Sequence, residues 1–277
     1  MKVPKWFIQI TYNSFVIRTA RFLRIRAFLR RFYYWLVVPK DKKIEVAFGD
    51  LRAQFDVDTP LTLRALGVIC QKDKEGEHLV LANILKILEP SDVAYDIGAH
   101  IGIHTIFMAK QVKERGTIVA FEPEDKSYAV LKKNIMLNNL QNVIPLPLAL
   151  GSHFAEGSLY WKNGIIGAYS LLGGDSSGVL KQKVKIAPGD DIIESYKLPL
   201  PKLVKIDVEG YEYYVIKGLE KALTGDICQM ISCEVHLKML PSEITYDKII
   251  DLIKSYGFRR IKTSNPGETF YLFCYKL

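Results

Sequence analysis

The chain has 277 residues, 49% of them hydrophobic and 25% charged. That composition excludes a disordered chain and a small disulfide-stapled scaffold, and it can supply one well-developed core. The formal net charge of +8 favours acidic partners, such as anionic headgroups, nucleic acid or sugar acids, without choosing among them.

Residues 1–40 differ from the rest. Arg18, Arg21, Arg24, Arg26, Arg30 and Arg31 alternate with Trp6, Phe7, Phe15, Phe22, Phe28 and Trp35, and no acidic residue precedes Asp41. No apolar stretch reaches the roughly 20 residues of a spanning helix, and arginines interrupt any signal-peptide core. The segment reads as a basic, aromatic helical appendage. It either packs on the main domain with a solvated basic side or makes peripheral membrane contact through phosphate-facing arginines. Nucleic acid is the least favoured partner. The expected location is the cytoplasm, with the membrane surface as the variant.

Residues 41–92 read as a lead-in. Glu45–Phe55 suggests a hairpin around Gly49 and Asp50. Residues 60–70 and 76–88 have helical apolar spacing. From Val93 onward strands and helices alternate. Strands are expected at 93–97, 117–121, 143–148, 181–187, 203–207 and 227–235, with Pro145 and Pro147 marking the third as irregular or edge-like. Helices are expected at 103–112, 125–137 with Asp125 as N-cap, 189–196, 213–223 and 245–256. Residues 151–178, rich in Gly and Ser with Tyr160, Trp161 and Tyr169, read as an acceptor-side or surface loop. A hairpin of 258–262 with 269–274 closes the chain. The four cysteines, Cys70, Cys228, Cys233 and Cys274, form no CxxC pair and read as buried thiols. Repeated strand–helix units imply an α/β domain over 93–277, with a mostly parallel sheet and ligands beyond the carboxyl ends of its strands.

Two signals share that address. Asp96-Ile97-Gly98-Ala99-His100-Ile101-Gly102 leaves a strand and opens a helix. Gly98 can take dihedrals closed to other residues, and Gly102 allows close packing at the helix start. The spacing is GxxxG, so no pyrophosphate cradle is evident. A glycine turn in another kind of α/β protein is the plain alternative. Glu122, followed by Pro123, ends the next strand, where a carboxylate can accept both hydroxyls of a ribose. Asp96 and Glu122 at adjacent strand ends suit a cofactor with a ribose and an ammonium group.

DIGAHIG and FEP resemble the first two motifs of class I methyltransferases. The segment LVKIDVEGYEYYVIKGL over 203–219 is similar to the hallmark of the FkbM family. The resemblance covers roughly residues 93–240. It implies a Rossmann-like, mostly parallel seven-stranded sheet with an antiparallel C-terminal hairpin, and S-adenosyl-L-methionine as cofactor. It assigns Asp96, Gly98 and Gly102 to the methionine side of the pocket, Glu122 to the ribose, and Leu148 and Ala149 to the adenine. His100 stands where the family commonly has Asn. Asn134, Asn138, Asp190 or Asp191, Glu234 and His236 also fall on the family pattern.

For catalysis, Asp207 and Glu209 lie just past a buried strand, with Glu212 nearby. Asp207 or Glu209 can accept a proton from an attacking hydroxyl, or orient the acceptor. His236 is a second base candidate, because its reference pKa lies near working pH, and Glu234 two residues earlier shares its side of the strand. These residues are also possible metal ligands, but their spacing is not diagnostic and methyl transfer needs no metal, so none is assigned. His100 and His104 read as packing or pocket-wall residues. The expected activity is O-methylation of a sugar, glycolipid or related small molecule. The alternatives are N- or RNA methylation, or a catalytically inactive cofactor-binding assembly protein.

Overall fold

Continuous apolar runs and glycine-bearing turns, not alternation, set this architecture. The structure is a computed structural model and describes residues 35, 38–57, 62–63, 65–67, 76–162, 179–264 and 269–276. Nearly all of the basic aromatic segment lies outside them. So do residues 163–178, most of the expected helix 60–70, and Cys70.

The lead-in begins with β1 (Lys43–Phe48) and β2 (Leu51–Asp56), paired antiparallel around a two-residue turn in which Gly49 has φ 57°. Helix α1 (Glu77–Ile87) follows. Next come β3 (Val93–Ile97), α2 (Ile103–Val112), β4 (Thr117–Phe121), α3 (Asp125–Leu137) and β5 (Val143–Leu146). Helix α2 is buried around nearly its whole circumference. A helix that is apolar all round must be covered on every side. The sheet covers one flank, while α1 and the β1–β2 hairpin cover others, placing Val46, Ala53 and Phe55 against Ile103 and Phe107.

Two asparagines fasten the hairpin. Asn134 Nδ2 donates to the Ile101 carbonyl at 2.8 Å, and its Oδ1 accepts from the Asp56 amide at 2.8 Å. Asn138 bonds both backbone groups of Gln54. The buried Asp56 carboxylate is paired with Lys133 at 2.7 Å. The N-cap of α3 is Glu124 and not Asp125. The Glu124 carboxylate accepts from the Ser127 amide at 2.6 Å, so it satisfies a free amide of the first turn.

The expected strand 143–148 divides. Pro145 is tolerated because β5 is an edge strand with β4 as its one neighbour in the sheet. After Pro147 the chain leaves the main sheet, and β6 (Ala149–Gly151) joins a second one. The expected loop 151–178 is also corrected in part: Ala155–Lys162 forms β7, paired antiparallel with β8 (Val179–Pro188). The glycines and serines there conceal the arms of a hairpin.

Helix α4 (Gly189–Tyr196), β9 (Leu203–Ile206), α5 (Glu212–Lys217) and α6 (Glu220–Thr224) follow. The single helix expected over 213–223 is therefore two. The break falls at Gly218, where a Cβ would lie 1.8 Å from the Gly151 carbonyl oxygen. Asp190 caps α6 from α4, accepting from the amides of Lys221 and Ala222. The chain ends with β10 (Met230–His236), α7 (Tyr246–Ser255), β11 (Arg260–Ser264) and β12 (Thr269–Tyr275).

The main sheet has seven strands in the order β11-β12-β10-β9-β3-β4-β5, with β11 and β12 in the antiparallel hairpin. This is the expected fold class. Chain direction through the sheet reverses between β3 and β9, and a ligand crevice opens at such a reversal. Cys228, Cys233 and Cys274 are buried free thiols. Among the described residues no helix is long and apolar enough to cross a membrane.

Candidate active site

At the reversal point β3 and β9 touch through backbone. Gly98 has φ 82°, and a Cβ there would lie 1.8 Å from the Asp207 carbonyl oxygen. No side chain can replace that hydrogen without parting the two strands. His100 (φ 51°) and Gly102 (φ 87°) continue the left-handed turn, and Gly102 is the N-cap of α2. The turn is tied to β4, since the Gly98 and Ala99 amides both donate to the Phe121 carbonyl at 3.0 Å.

Glu122 completes that connection. Its Oε2 accepts from the His100 amide at 2.7 Å, and its Oε1 accepts from the Glu124 amide at 2.8 Å. Each oxygen keeps a further acceptor site, so the carboxylate is held in a fixed orientation with capacity left for a ligand. Burial pushes its pKa up to about 7, against the opposing effect of the two amides. Burial also holds the His100 and His104 imidazoles neutral, with pKa values pushed down to about 4.

Asp96 is fully buried. Its Oδ2 accepts from Thr105 Oγ1 at 2.5 Å, and its Oδ1 lies 3.4 Å from Lys205 Nζ. Lys205 also reaches Asp207 Oδ2 at 3.3 Å and the Gly98 carbonyl at 3.4 Å. Burial alone would lower the Lys205 pKa, but Asp96, Asp207, Glu77 and Glu234 together raise it above the ordinary value, so the ammonium is retained. The sequence reading missed Lys205. Its signal was a lysine in a four-residue strand, Leu-Val-Lys-Ile, that is otherwise apolar and buried throughout.

Past β9, Glu209 (φ 53°) and Gly210 (φ 100°) make a second left-handed turn. A Cβ at Gly210 would meet the Met239 carbonyl at 2.3 Å, so this turn packs directly on the 3-10 turn Leu237–Met239. Glu212, also absent from the candidate set, is fully buried. Its Oε1 accepts from the Gly210 amide at 2.9 Å and lies 3.0 Å from His236 Nδ1. His236 Nε2 faces Glu234 at 3.4 Å and Glu209 at 3.6 Å.

Burial opposes protonation of His236, but its bonds to Glu212 and Glu234 and the charges of Asp207 and Glu209 outweigh that and push its pKa up to about 12. These carboxylates favour the protonated imidazole over the neutral form that a general base requires. Burial pushes the Glu209 carboxyl up to about 8.

The structure therefore gathers Asp96, Gly98, Asp207, Glu209, Glu234 and His236 around the ends of β3, β9 and β10. His100 and Gly102 continue the turn after β3, and Glu122 stands one strand over, at the end of β4. Ala149 is buried at the start of β6, in the second sheet. Asn134, Asn138 and Asp190 hold elements together, as described above. Replacing Lys205 with Met leaves two carboxylates without their buried counter-ion. We expect Lys205→Met to lower unfolding stability by about 3–5 kcal/mol in denaturant titration. A loss below about 1 kcal/mol would contradict the pairing.

The chain is 28% identical over 174 residues to the hexuronic acid methyltransferase AglP of Haloferax volcanii, covering 63% of this chain and 68% of that protein. It is 25% identical over 209 residues to the 31-O-demethyl-FK506 methyltransferase FkbM of Streptomyces tacrolimicus, covering 65% and 77%. The crystal structure of methyltransferase FkbM from Methylobacillus flagellatus superposes with a TM-score of 0.48 at 15% identity, over 69% of this chain and 45% of that one. The methyltransferase FkbM domain matches residues 96–260, from the buried aspartate of β3 to the start of β11. The chain belongs to the FkbM family of methyltransferases, whose methyl donor is S-adenosylmethionine.

Proposed function

We propose that the chain methylates a hydroxyl group of a sugar or a related small hydroxylated molecule. The observation that carries this reading is the carboxylate cluster Asp207, Glu209 and Glu234, joined to the cofactor turn by the Gly98–Asp207 contact. Carboxylates accept hydrogen bonds from hydroxyls and repel phosphates. The chain is basic overall, yet this crevice is acidic, which favours a polyhydroxylated acceptor over a nucleic-acid backbone. The named activity of AglP is on a sugar, a hexuronic acid, which supports a sugar acceptor, while the acidic crevice of this chain favours a neutral sugar over an anionic one.

The residues present fit S-adenosylmethionine. Glu122 offers two ordered oxygens where ribose hydroxyls would lie, and the buried Asp96 keeps an oxygen without a hydrogen bond near the methionine end. Leu148 and Ala149 remain the assigned adenine side. When bound, the cofactor supplies a methyl group already activated by its sulfonium. The chain must then hold the acceptor oxygen in line and receive its proton. Asp207, held ionised beside Lys205, and Glu209, which becomes ionised as pH rises through about 8, are the acceptors of that proton, and His236, clamped by Glu212, fixes the orientation of the carboxylates around it.

Two outcomes test the reading. With hexuronic acids and neutral hexosides as acceptors, we expect acceptor-dependent formation of S-adenosylhomocysteine. Glu209→Gln should lower turnover about 10²–10⁴-fold with cofactor affinity little changed. Turnover with RNA alone, or an unaffected variant, would sink it. The second outcome concerns pH. Glu122, with its pKa near 7, loses its proton as pH rises, and the ionised form accepts ribose hydroxyls more strongly. Calorimetric affinity for S-adenosylmethionine should therefore weaken as pH falls from 8 to 6, and Glu122→Gln should remove the dependence. A flat wild-type profile would refute the assignment.

A further inference from the structure

Glu77 opens α1, in the lead-in and outside residues 96–260 that match the family. Helix α1 packs on α2, and a Cβ at its N-cap residue Gly76 would lie 4.0 Å from the Tyr271 hydroxyl of β12. The half-buried Glu77 carboxyl therefore reaches the end of β10. Glu77, Asp207 and Glu234 each present an oxygen, and the three oxygens lie within 4.8 Å of one another. The Glu77 and Glu234 carboxyls are hydrogen-bonded to each other. An ionised carboxylate can only accept, so that contact requires a proton on one of the two.

The neighbours decide which group keeps it. Glu234 Oε1 faces His236 Nε2 at 3.4 Å, and the carboxyl accepts from the Tyr271 hydroxyl. Both contacts favour the ionised form of Glu234. Glu77 is placed differently. The nitrogen beside it, His104 Nε2 at 3.4 Å from Oε2, belongs to an imidazole that burial keeps neutral. Lys205 also acts on Glu77, but its ammonium is engaged by Asp96 and Asp207. Burial, with the charges of Glu234 and Asp207, holds the Glu77 carboxyl well above the usual carboxylate range. Glu77 is thus the donor and Glu234 the acceptor.

Donors from three elements meet at Glu234: Glu77 from α1, Tyr271 from β12 and His236 at the end of β10. His236 Nε2 in turn lies 3.6 Å from Glu209, a group assigned to receive the proton of the methyl acceptor. We propose that Glu77 is a positioning residue of the methyl-transfer site: it donates a hydrogen bond to Glu234 and, through Glu234 and His236, holds Glu209 in place. The lead-in thereby supplies part of the site as well as a cover for α2. The kinetic consequence rests on the reading of Glu209 given above, whereas the donated proton and its effect on His236 are tested without turnover.

The first arm is chemical denaturation of the full-length chain, wild type against Glu77→Gln, from about pH 5 to about pH 8. Glutamine donates to Glu234 as the protonated acid does, but takes up no proton on folding. Glu77 is ionised in the unfolded chain and protonated in the folded one over this range, so the wild type loses stability as pH rises and the variant is spared that loss. We expect the variant's midpoint to gain on the wild type with rising pH, and a constant difference would overturn the proposal. The second arm follows the His236 ring by 15N NMR, its signal assigned by its loss in His236→Asn. Glu77→Met keeps the volume but donates no hydrogen bond, so it should shift that signal, and Glu77→Gln should restore it. An unmoved signal in folded Glu77→Met would overturn the proposal, and should that variant fail to fold the first arm decides. The third arm uses an acceptor that turns over. Glu77→Met should lower kcat about tenfold or more with acceptor KM and S-adenosylhomocysteine affinity little changed, and Glu77→Gln should recover most of it. Equal loss in both variants would contradict the positioning role. Absence of turnover by the wild type would count against the hydroxyl-acceptor reading and leave the first two arms to decide this one.

Discussion

The buried ammonium of Lys205, held between Asp96 of β3 and Asp207 beyond β9, is the interaction on which the rest of the site depends. A charge inside a strand buried on all sides is costly unless opposite charges meet it. Here they come from the two strands that flank the reversal of the sheet. The same two strands touch at Gly98, where nothing larger than hydrogen fits. Backbone contact and ion pair together set the distance between the glycine turn after β3 and the acidic turn that follows β9. In a methyl transfer that distance is the quantity the protein has to control, since the donor arrives already activated.

From that seam the site extends in two directions. Toward β4, Glu122 is ordered by two amides and closes the turn of β3 onto the next strand. Toward β10, Glu212 bridges the Gly210 amide and His236, so the imidazolium and the left-handed turn at Glu209 are fixed by one carboxylate. Glu122 and Glu212 are thus each held in place by a backbone amide. Both flanking turns rest on glycines that no other residue can replace, Gly98 against Asp207 and Gly210 against Met239.

Much of this was legible in the sequence because it is local. DIGAHIG, FEP and DVEG each follow a short apolar strand, and strand order alone brings their carboxylates to one edge. What escaped was of two kinds. Glu77 comes from a helix outside these motifs, and only the packing of α1 on α2 brings it within 3.4 Å of His104. Lys205 and Glu212 were in view but fell outside the groups that chemistry usually singles out, since a lysine in a strand or a glutamate at a helix start reads as a surface residue. The hairpin β7–β8 was hidden for another reason: glycine and serine lower strand propensity, while backbone pairing with β6 and between the arms does not depend on it. The division of 213–223 into two helices rests on the contact of Gly218 with Gly151, which lies far away in the chain.

The central claim is that cofactor and acceptor meet across the β3–β9 seam. A crystal structure with S-adenosylhomocysteine bound tests it most directly. The account predicts both ribose hydroxyls on Glu122, the adenine beside Leu148 and Ala149, and the sulfur directed at the Asp207–Glu209 turn. A ligand seated elsewhere, or a ribose turned away from Glu122 with the sulfur remote from that turn, would contradict it.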